Sequence, residues 1–175
     1  MPSEIYHSRA NLAFYEGEWE QSESAEQQDL DEARRTGSLD TVEGRLDFLA
    51  AIRAVRGNLA KAEVLVQEAL ELSCIEEDTR LSFQLGHRTL LALIYANTSR
   101  AADAHEQLER CREIIGNAEN WRGLVGVVAQ PEVVVAAAEG KCEEAGTQFE
   151  RAVQIFQRYR VPFEQAEACI LGGGR

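Results

Sequence analysis

Proline is nearly missing from this chain, with Pro2, Pro131 and Pro162 the only three in 175 residues. Aromatics are sparse at 7%, and sustained strand-type alternation of apolar and polar residues is absent, so the chain reads as helical. No apolar run approaches the roughly 20 residues that a membrane-crossing helix needs. The start, MPSEIYHSRANLAFYEGEWE, has neither the basic stretch nor the apolar core of a signal peptide, so a cytoplasmic location is expected. Cations are also in short supply. Thirty acidic residues face 18 basic ones, a formal net charge of −12, and the excess is concentrated up to Arg80, where 18 acidic residues meet 8 basic ones. Such a surface repels phosphate backbones and disfavours direct nucleic-acid binding. Cys74, Cys111, Cys142 and Cys169 lie 37, 31 and 27 residues apart with no CxxC pair and no histidine cluster beside them, the pattern of reduced thiols rather than of disulfides or a metal centre.

What is present is a period. YEGEWEQS around Gly17, VRGNLAKA around Gly57, YANTSRAA around Asn97 and AEGKCEEA around Gly140 are versions of one another, spaced by 40, 40 and 43 residues. Glycine or asparagine ends a helix in the left-handed conformation and the next helix begins at once, so each stretch is a tight turn within a helical hairpin. Ala62, Ala102 and Ala145 are small residues at one place after the turn, where two helices approach closely. Apolar stripes follow, such as Leu59, Ala62, Val66, Ala69 and Leu70, or Cys142, Ala145, Phe149, Ala152, Val153 and Phe156. Helix pairs repeating at this length build a solenoid. The expectation is one all-α domain over 1–175: a right-handed solenoid of about four antiparallel helix pairs, roughly 3–36, 40–75, 78–116 and 120–160, with a partial fifth helix over 162–171. Asp40, Asp78 and Asn120 are placed to cap first helices, and Pro131 should kink or interrupt the first helix of the fourth pair.

RGNLAKAEVLVQEALEL and EGKCEEAGTQFERAVQIF resemble tetratricopeptide repeats, with a unit longer than the usual 34 residues. The stretch from Glu119 to Arg175 is similar to the C-terminal repeat region of bacterial signal-transduction ATPases, including LuxR-type regulators and adenylate-cyclase-linked proteins. In that resemblance further helix pairs follow the final Gly-Arg, so the chain is expected to stop halfway through a fifth pair. The ATPase and DNA-binding parts are not matched: there is no G-x-x-x-x-G-K-[ST] and no basic recognition helix. The C-terminal LGGGR lacks the lysine, hydroxyl residue and helix of a phosphate loop.

In AEGKCEEA, Cys142 shares a repeat slot with Trp19, Leu59 and Ser99, which is read as a packing slot, and Glu143 and Glu144 fall where carboxylates favour a helix start. Cys111 and Cys169 are expected in the core, and Cys74 is expected to be the thiol most open to solvent. The polar stretch EGEWEQSESAEQQDLDEARR reads as a solvated end-cap helix. Counting ten residues back from each turn gives a row of His7, Asp47, His87 and Gln130 on the first helices, which line the concave groove of such solenoids. Asn11, Tyr15, Gln84 and Tyr95 should lie nearby. Adjacent helices pack about 8–10 Å apart, so histidines one repeat removed from each other cannot share an ion. No cofactor and no catalysis is implied, because no nucleophile and base are brought together by any spacing. Chaperone-tail recognition of the tetratricopeptide type uses groove lysine, asparagine and arginine, of which only Asn11 fits. The expected function is therefore a non-catalytic module that binds a protein or peptide in the groove. The alternative is a sensor that binds a metabolite there. A homodimer through the exposed C-terminal helix, with Phe163, Ala166, Ile170 and Leu171 on its apolar face, is also expected.

Overall fold

The computed structural model describes residues 2–75, 81–116 and 121–161, and over these the chain is entirely helical. The elements are α1 (Pro2–Tyr15), α2 (Trp19–Thr36), α3 (Leu39–Val55), α4 (Leu59–Ser73), α5 (Leu81–Asn97), α6 (Ala101–Gly116), α7 (Leu124–Ala138) and α8 (Cys142–Tyr159). Short turns join them in adjacent pairs, and α2 also packs on α3. The chain divides into two compact units, with the boundary inside α5 between His87 and Arg88. The caps expected from Asp78 and Asn120, the helix over 162–171, Cys169 and the LGGGR end lie outside the described residues.

Hydrogen bonding shows why the turns recur. Gly17, Gly57 and Gly140 adopt φ of 79°, 77° and 75°. The residue after each glycine then donates its N–H back to a carbonyl five residues earlier: Glu18 to Ala13, Asn58 to Arg53 and Lys141 to Ala136. Two orphan helix-end carbonyls are satisfied by this reversal, and only a left-handed residue permits it.

The third turn differs from expectation. Asn97 stays helical and its side chain donates to the Leu93 carbonyl, while Ser99 takes the left-handed position at φ 60°. Arg100 makes the return bond to Tyr95, so Ser99 is the counterpart of the three glycines and the spacings become 40, 42 and 41. This moves the close-packing slot from Ala102, which is exposed, to Ala104, which is buried. The complete set is Ser22, Ala62, Ala104 and Ala145, all inaccessible to solvent, and the Ser22 hydroxyl satisfies itself on the Ala10 carbonyl of α1 at 2.7 Å.

Several other expectations are corrected. The slot of Trp19, Leu59 and Cys142 is the first position of the second helix and faces outward, so Cys142 is exposed rather than packed, and more open than the half-buried Cys74. Cys111 is in the core. Asp40 is not a cap, since Ser38 precedes the first residue of α3 and bonds the Thr41 hydroxyl. Pro131 does not end α7, which runs through it from Leu124 to Ala138. The stretch expected to be a solvated cap is α2, and it packs against both α1 and α3 and buries Ser22, Glu26, Asp29, Leu30 and Ala33.

In the second unit α7 and α8 meet around Ala129, Ala152 and Phe156, with Val127, Phe149, Val153 and Val161 packed on them. Gly126 makes this approach possible: a β-carbon there would lie 2.6 Å from the Phe156 ring.

Candidate functional site

With the repeat register set by the hydrogen bonds, the second helices can be read against one another. The inward slots are Ala62, Val66, Ala69 and Ser73 in α4, Ala104, Leu108 and Cys111 in α6, and Ala145, Phe149, Ala152 and Phe156 in α8. In α2 the same slots hold Ser22, Glu26, Asp29 and Ala33. Two carboxylates thus occupy core positions, both with no exposed surface. Burying a charge is tolerable only with a partner, and the partners come from the helices on either side. His7 Nδ1 on α1 lies 3.2 Å from one Glu26 oxygen and Arg45 Nη1 on α3 lies 3.5 Å from the other. Arg45 Nε is in ion-pair contact with Asp29 at 2.7 Å, although its N–H is not directed for a hydrogen bond.

Asn11 donates its amide to His7 Nε2 at 2.8 Å, so Nε2 is the acceptor and the Nδ1–H is left to donate to Glu26. Burial pushes Glu26 up to about 7, with Arg45 pulling it back and Asp29 adding to the rise. Burial also lowers His7, and the Arg45 charge lowers it further. Glu26, Asp29 and Arg45 are hidden in the sequence because the polar stretch that forms α2 reads as solvated. The available signal was the repeat register, which aligns Glu26 with Val66, Leu108 and Phe149.

The expected groove row is only partly assembled. Asp47 and His87 do meet, with Asp47 Oδ1 2.8 Å from His87 Nδ1, and Glu43 holds the other ring nitrogen at 3.1 Å. Burial opposes charge on His87, but its hydrogen bond to Asp47 and the Asp47 charge, followed by those of Glu43, override it and raise its pKa. Yet the ring is only 1% exposed, and it sits two positions away from the repeat slot of His7 and Asp47, which the third pair fills with Thr89. Gln84 is buried, donating to the Ser73 carbonyl, and Gln130 is buried on α7. Tyr95 is buried with the Arg100 guanidinium over its ring at 4.2 Å.

Of the expected residues, His7, Asn11, Tyr15 and Asp47 remain reachable, on the first helices α1 and α3 of the first unit. Phe48 of α3 sits edge-on to both His7 and Phe14 of α1, each with centroids 5.5 Å apart, and Phe14 contacts Tyr15 in the same manner. His7, Asn11, Phe14 and Phe48 are half-buried, while Leu12 and Tyr15 are about 60% exposed, at 60% and 62%. On α3 the partly exposed residues Gly44, Asp47, Phe48 and Ala51 recur at helical spacing, and a β-carbon on Gly44 would meet nothing.

The second unit carries two other features. AEGKCEEA is a surface ion-pair cluster: Glu139 accepts from His105 at 2.8 Å and pairs with Lys141 at 2.9 Å. Beyond it, a cleft of about 380 Å³ is lined by Trp121, Leu124, Val127, Phe156 and Val161, with Arg122 and Gly123 completing the wall. The Trp121 indole N–H is buried there without an acceptor. Among the described residues no group of His, Cys, Asp and Glu is arranged to hold a metal ion, and no helix is long and apolar enough to cross a membrane.

No family model matches the chain, and no curated protein matches it. Among solved structures it is similar to the crystal structure of BtubC (BKLC) from P. vanneervenii, with a TM-score of 0.67 and 19% identity over 94% of this chain and 70% of that one, a likeness of fold alone.

Proposed function

We propose that this chain is a non-catalytic protein- or peptide-interaction module, a right-handed solenoid of tetratricopeptide-like helix pairs serving as a regulatory or scaffolding domain in a bacterial signalling or transcription-regulator system. The observation that carries this reading is the α1–α3 face, where half-exposed aromatic rings and the exposed Tyr15 lie beside hydrogen-bonding side chains on the first helices of successive pairs. A packed core does not explain exposed large side chains in that position, and a partner that covers them does. The test is affinity capture with the wild type and with a Tyr15→Ser/Phe48→Ser variant whose helicity is checked by circular dichroism. Partners retained by the wild type and lost by the variant are expected. An identical partner set from both proteins would defeat the proposal.

A second reading, a small-ligand sensor, is favoured by the cleft beside Trp121, whose volume is at the small end for ligand sites and whose walls are mainly apolar. A thermal shift with a metabolite library, accompanied by a change in Trp121 fluorescence and unaffected by the face variant, would select this reading over the first.

A further inference from the structure

The seat of α1 on the first unit is thin in apolar contact and rich in ionisable groups. Of the described side chains of α1, Ala10 and Ala13 are the ones fully buried. The inward slots of α2 hold Ser22, Glu26 and Asp29 where α4 offers Ala62, Val66 and Ala69. α1 is therefore kept in place chiefly by polar contacts, the Ser22 hydroxyl on the Ala10 carbonyl and the His7 ring on Glu26, together with the edge-on rings of Phe14 and Phe48. A segment with little buried apolar area is where local opening costs least.

The charges in this seat do not balance. Glu26 and Asp29 have no exposed surface, and among the described residues the ionisable groups facing them are His7 from α1 and Arg45 from α3. Asn11 donates to His7 Nε2, which leaves the ring neutral with its proton on Nδ1. Arg45 is then the single cation against two carboxylates, 2.7 Å from Asp29 and 3.5 Å from Glu26, and neither Asp29 oxygen accepts a hydrogen bond. Elsewhere on these helices Arg34 is turned to Glu68 of α4, and the buried Glu43 of α3 is engaged by His87. With both carboxylates ionised, one negative charge stays uncompensated in the interior, a strongly disfavoured state that a single proton on Glu26 removes.

Burial accordingly pushes Glu26 up to about 7, with Arg45 opposing the rise and Asp29 adding to it. Once α1 is lifted, water reaches the carboxyl and it returns toward its ordinary value of 4.5. Seating is thus favoured at low pH and is lost progressively as pH rises from about 4.5 to about 7. His7 is lowered by burial and then by the Arg45 charge, and it acts in the opposite sense, weakening the seat as pH falls below about 6.5.

We infer that α1 is a strap held down by one proton in the cluster of Glu26, Asp29, Arg45 and His7, and that it lifts from α2 when the proton leaves and water is admitted to the two carboxylates. α2, α3 and α4 bury apolar side chains of their own, among them Leu30, Leu46, Leu49 and Val66, and stay folded when α1 leaves. Because α1 carries His7, Phe14 and Tyr15, its release takes the α1–α3 face apart. The strap stands whether or not that face binds a partner.

Amide hydrogen exchange of the full chain, read by peptide mass spectrometry at about pH 5 and about pH 8 and divided by the intrinsic exchange rates, separates α1 from α3 and α4. At about pH 8, α1 of the wild type should exchange at least about tenfold faster than α3 and α4. Glu26→Gln, which keeps the shape and has no proton to lose, should raise α1 protection at about pH 8 by about tenfold or more. At about pH 5 the two proteins should agree within about threefold, the His7 contribution being common to both. Asp29→Asn, which leaves Arg45 to balance Glu26, should also raise α1 protection at about pH 8, and it carries the test if circular dichroism shows Glu26→Gln unfolded. Unchanged α1 protection at high pH in the folded variant would overturn the proposal. Loss of protection shared equally by α1, α3 and α4 would overturn it too, since the proton would then act on the unit as a whole.

Discussion

Replacing Gly126 by alanine sets two effects of opposite sign against each other. Alanine is favoured over glycine in a helix by about 1 kcal/mol, and position 126 is helical. The new β-carbon, however, would meet Phe156 Cε1 at 2.6 Å, Cζ at 2.9 Å and Cδ1 at 3.0 Å, along one whole edge of the ring. That ring has no exposed surface and packs on Ala129 and Ala152, with the cleft beside Trp121 along another side. Overpacking of this kind costs about 1–3 kcal/mol. Gly126 is near the start of α7, which reduces the propensity gain, so a net loss of about 1–2 kcal/mol is expected. Gly146, in α8, supplies the control: a β-carbon there meets nothing within 4 Å, and Gly146→Ala should stabilise by about 0.5–1 kcal/mol. Urea denaturation followed by Trp121 fluorescence, with Trp19 replaced by phenylalanine, reads the second unit directly. If Gly126→Ala proves as stable as the parent while Gly146→Ala behaves as expected, the close approach of α7 and α8 at Phe156 is wrong.

Two further outcomes follow from the buried ionisable groups. Because Glu26 is held at about 7 rather than in the usual carboxylate range, the folded chain binds its proton more tightly than the unfolded one. Stability present at pH 4 is then lost as pH rises from about 4.5 through 7, by about 3 kcal/mol. His87, raised, adds a loss above its ordinary range as pH rises, and His7, lowered, acts the other way by losing stability as pH falls below about 6.5. Glu26→Gln removes only the first term, so its denaturation midpoint relative to the parent should climb between pH 4.5 and 8; parallel curves would refute the assignment. Brief alkylation of the native chain, read by peptide mass spectrometry, should modify the exposed Cys142 and leave Cys111 untouched, since burial holds that thiol at about 11. Native labelling of Cys111 would contradict its place in the core.

Much of this architecture was legible because it is written in local chemistry. A glycine that must take positive φ, a small residue at a fixed offset and an apolar stripe at helical spacing are each consequences of a single turn, and so helices and the short turns between them can be read from residues a few positions apart. The third turn failed because Asn97 looks like a left-handed residue. Its side chain instead bonds back to Leu93, and Ser99 accepts the strain. That two-residue slip misplaced Ala102 for Ala104 and put His87 in a row to which Thr89 belongs.

The site was less legible, for a related reason. In a sequence polarity reads as exposure, which places Glu26 and Asp29 in solvent, and His87, Gln84, Tyr95 and Gln130 in an open groove. For Glu26 and His87 what decides burial is that a neighbouring helix supplies a partner, and that information is tens of residues away: 19 for His7 with Glu26, and 40 for Asp47 with His87. Sequence by itself determined that the chain forms helical hairpins of about 40 residues, because turns and stripes depend on residues a few positions apart. Only tertiary structure decided which polar side chains are spent inside and which aromatic face is left for a partner, because burial and ion pairing depend on contacts between helices that the local pattern does not encode.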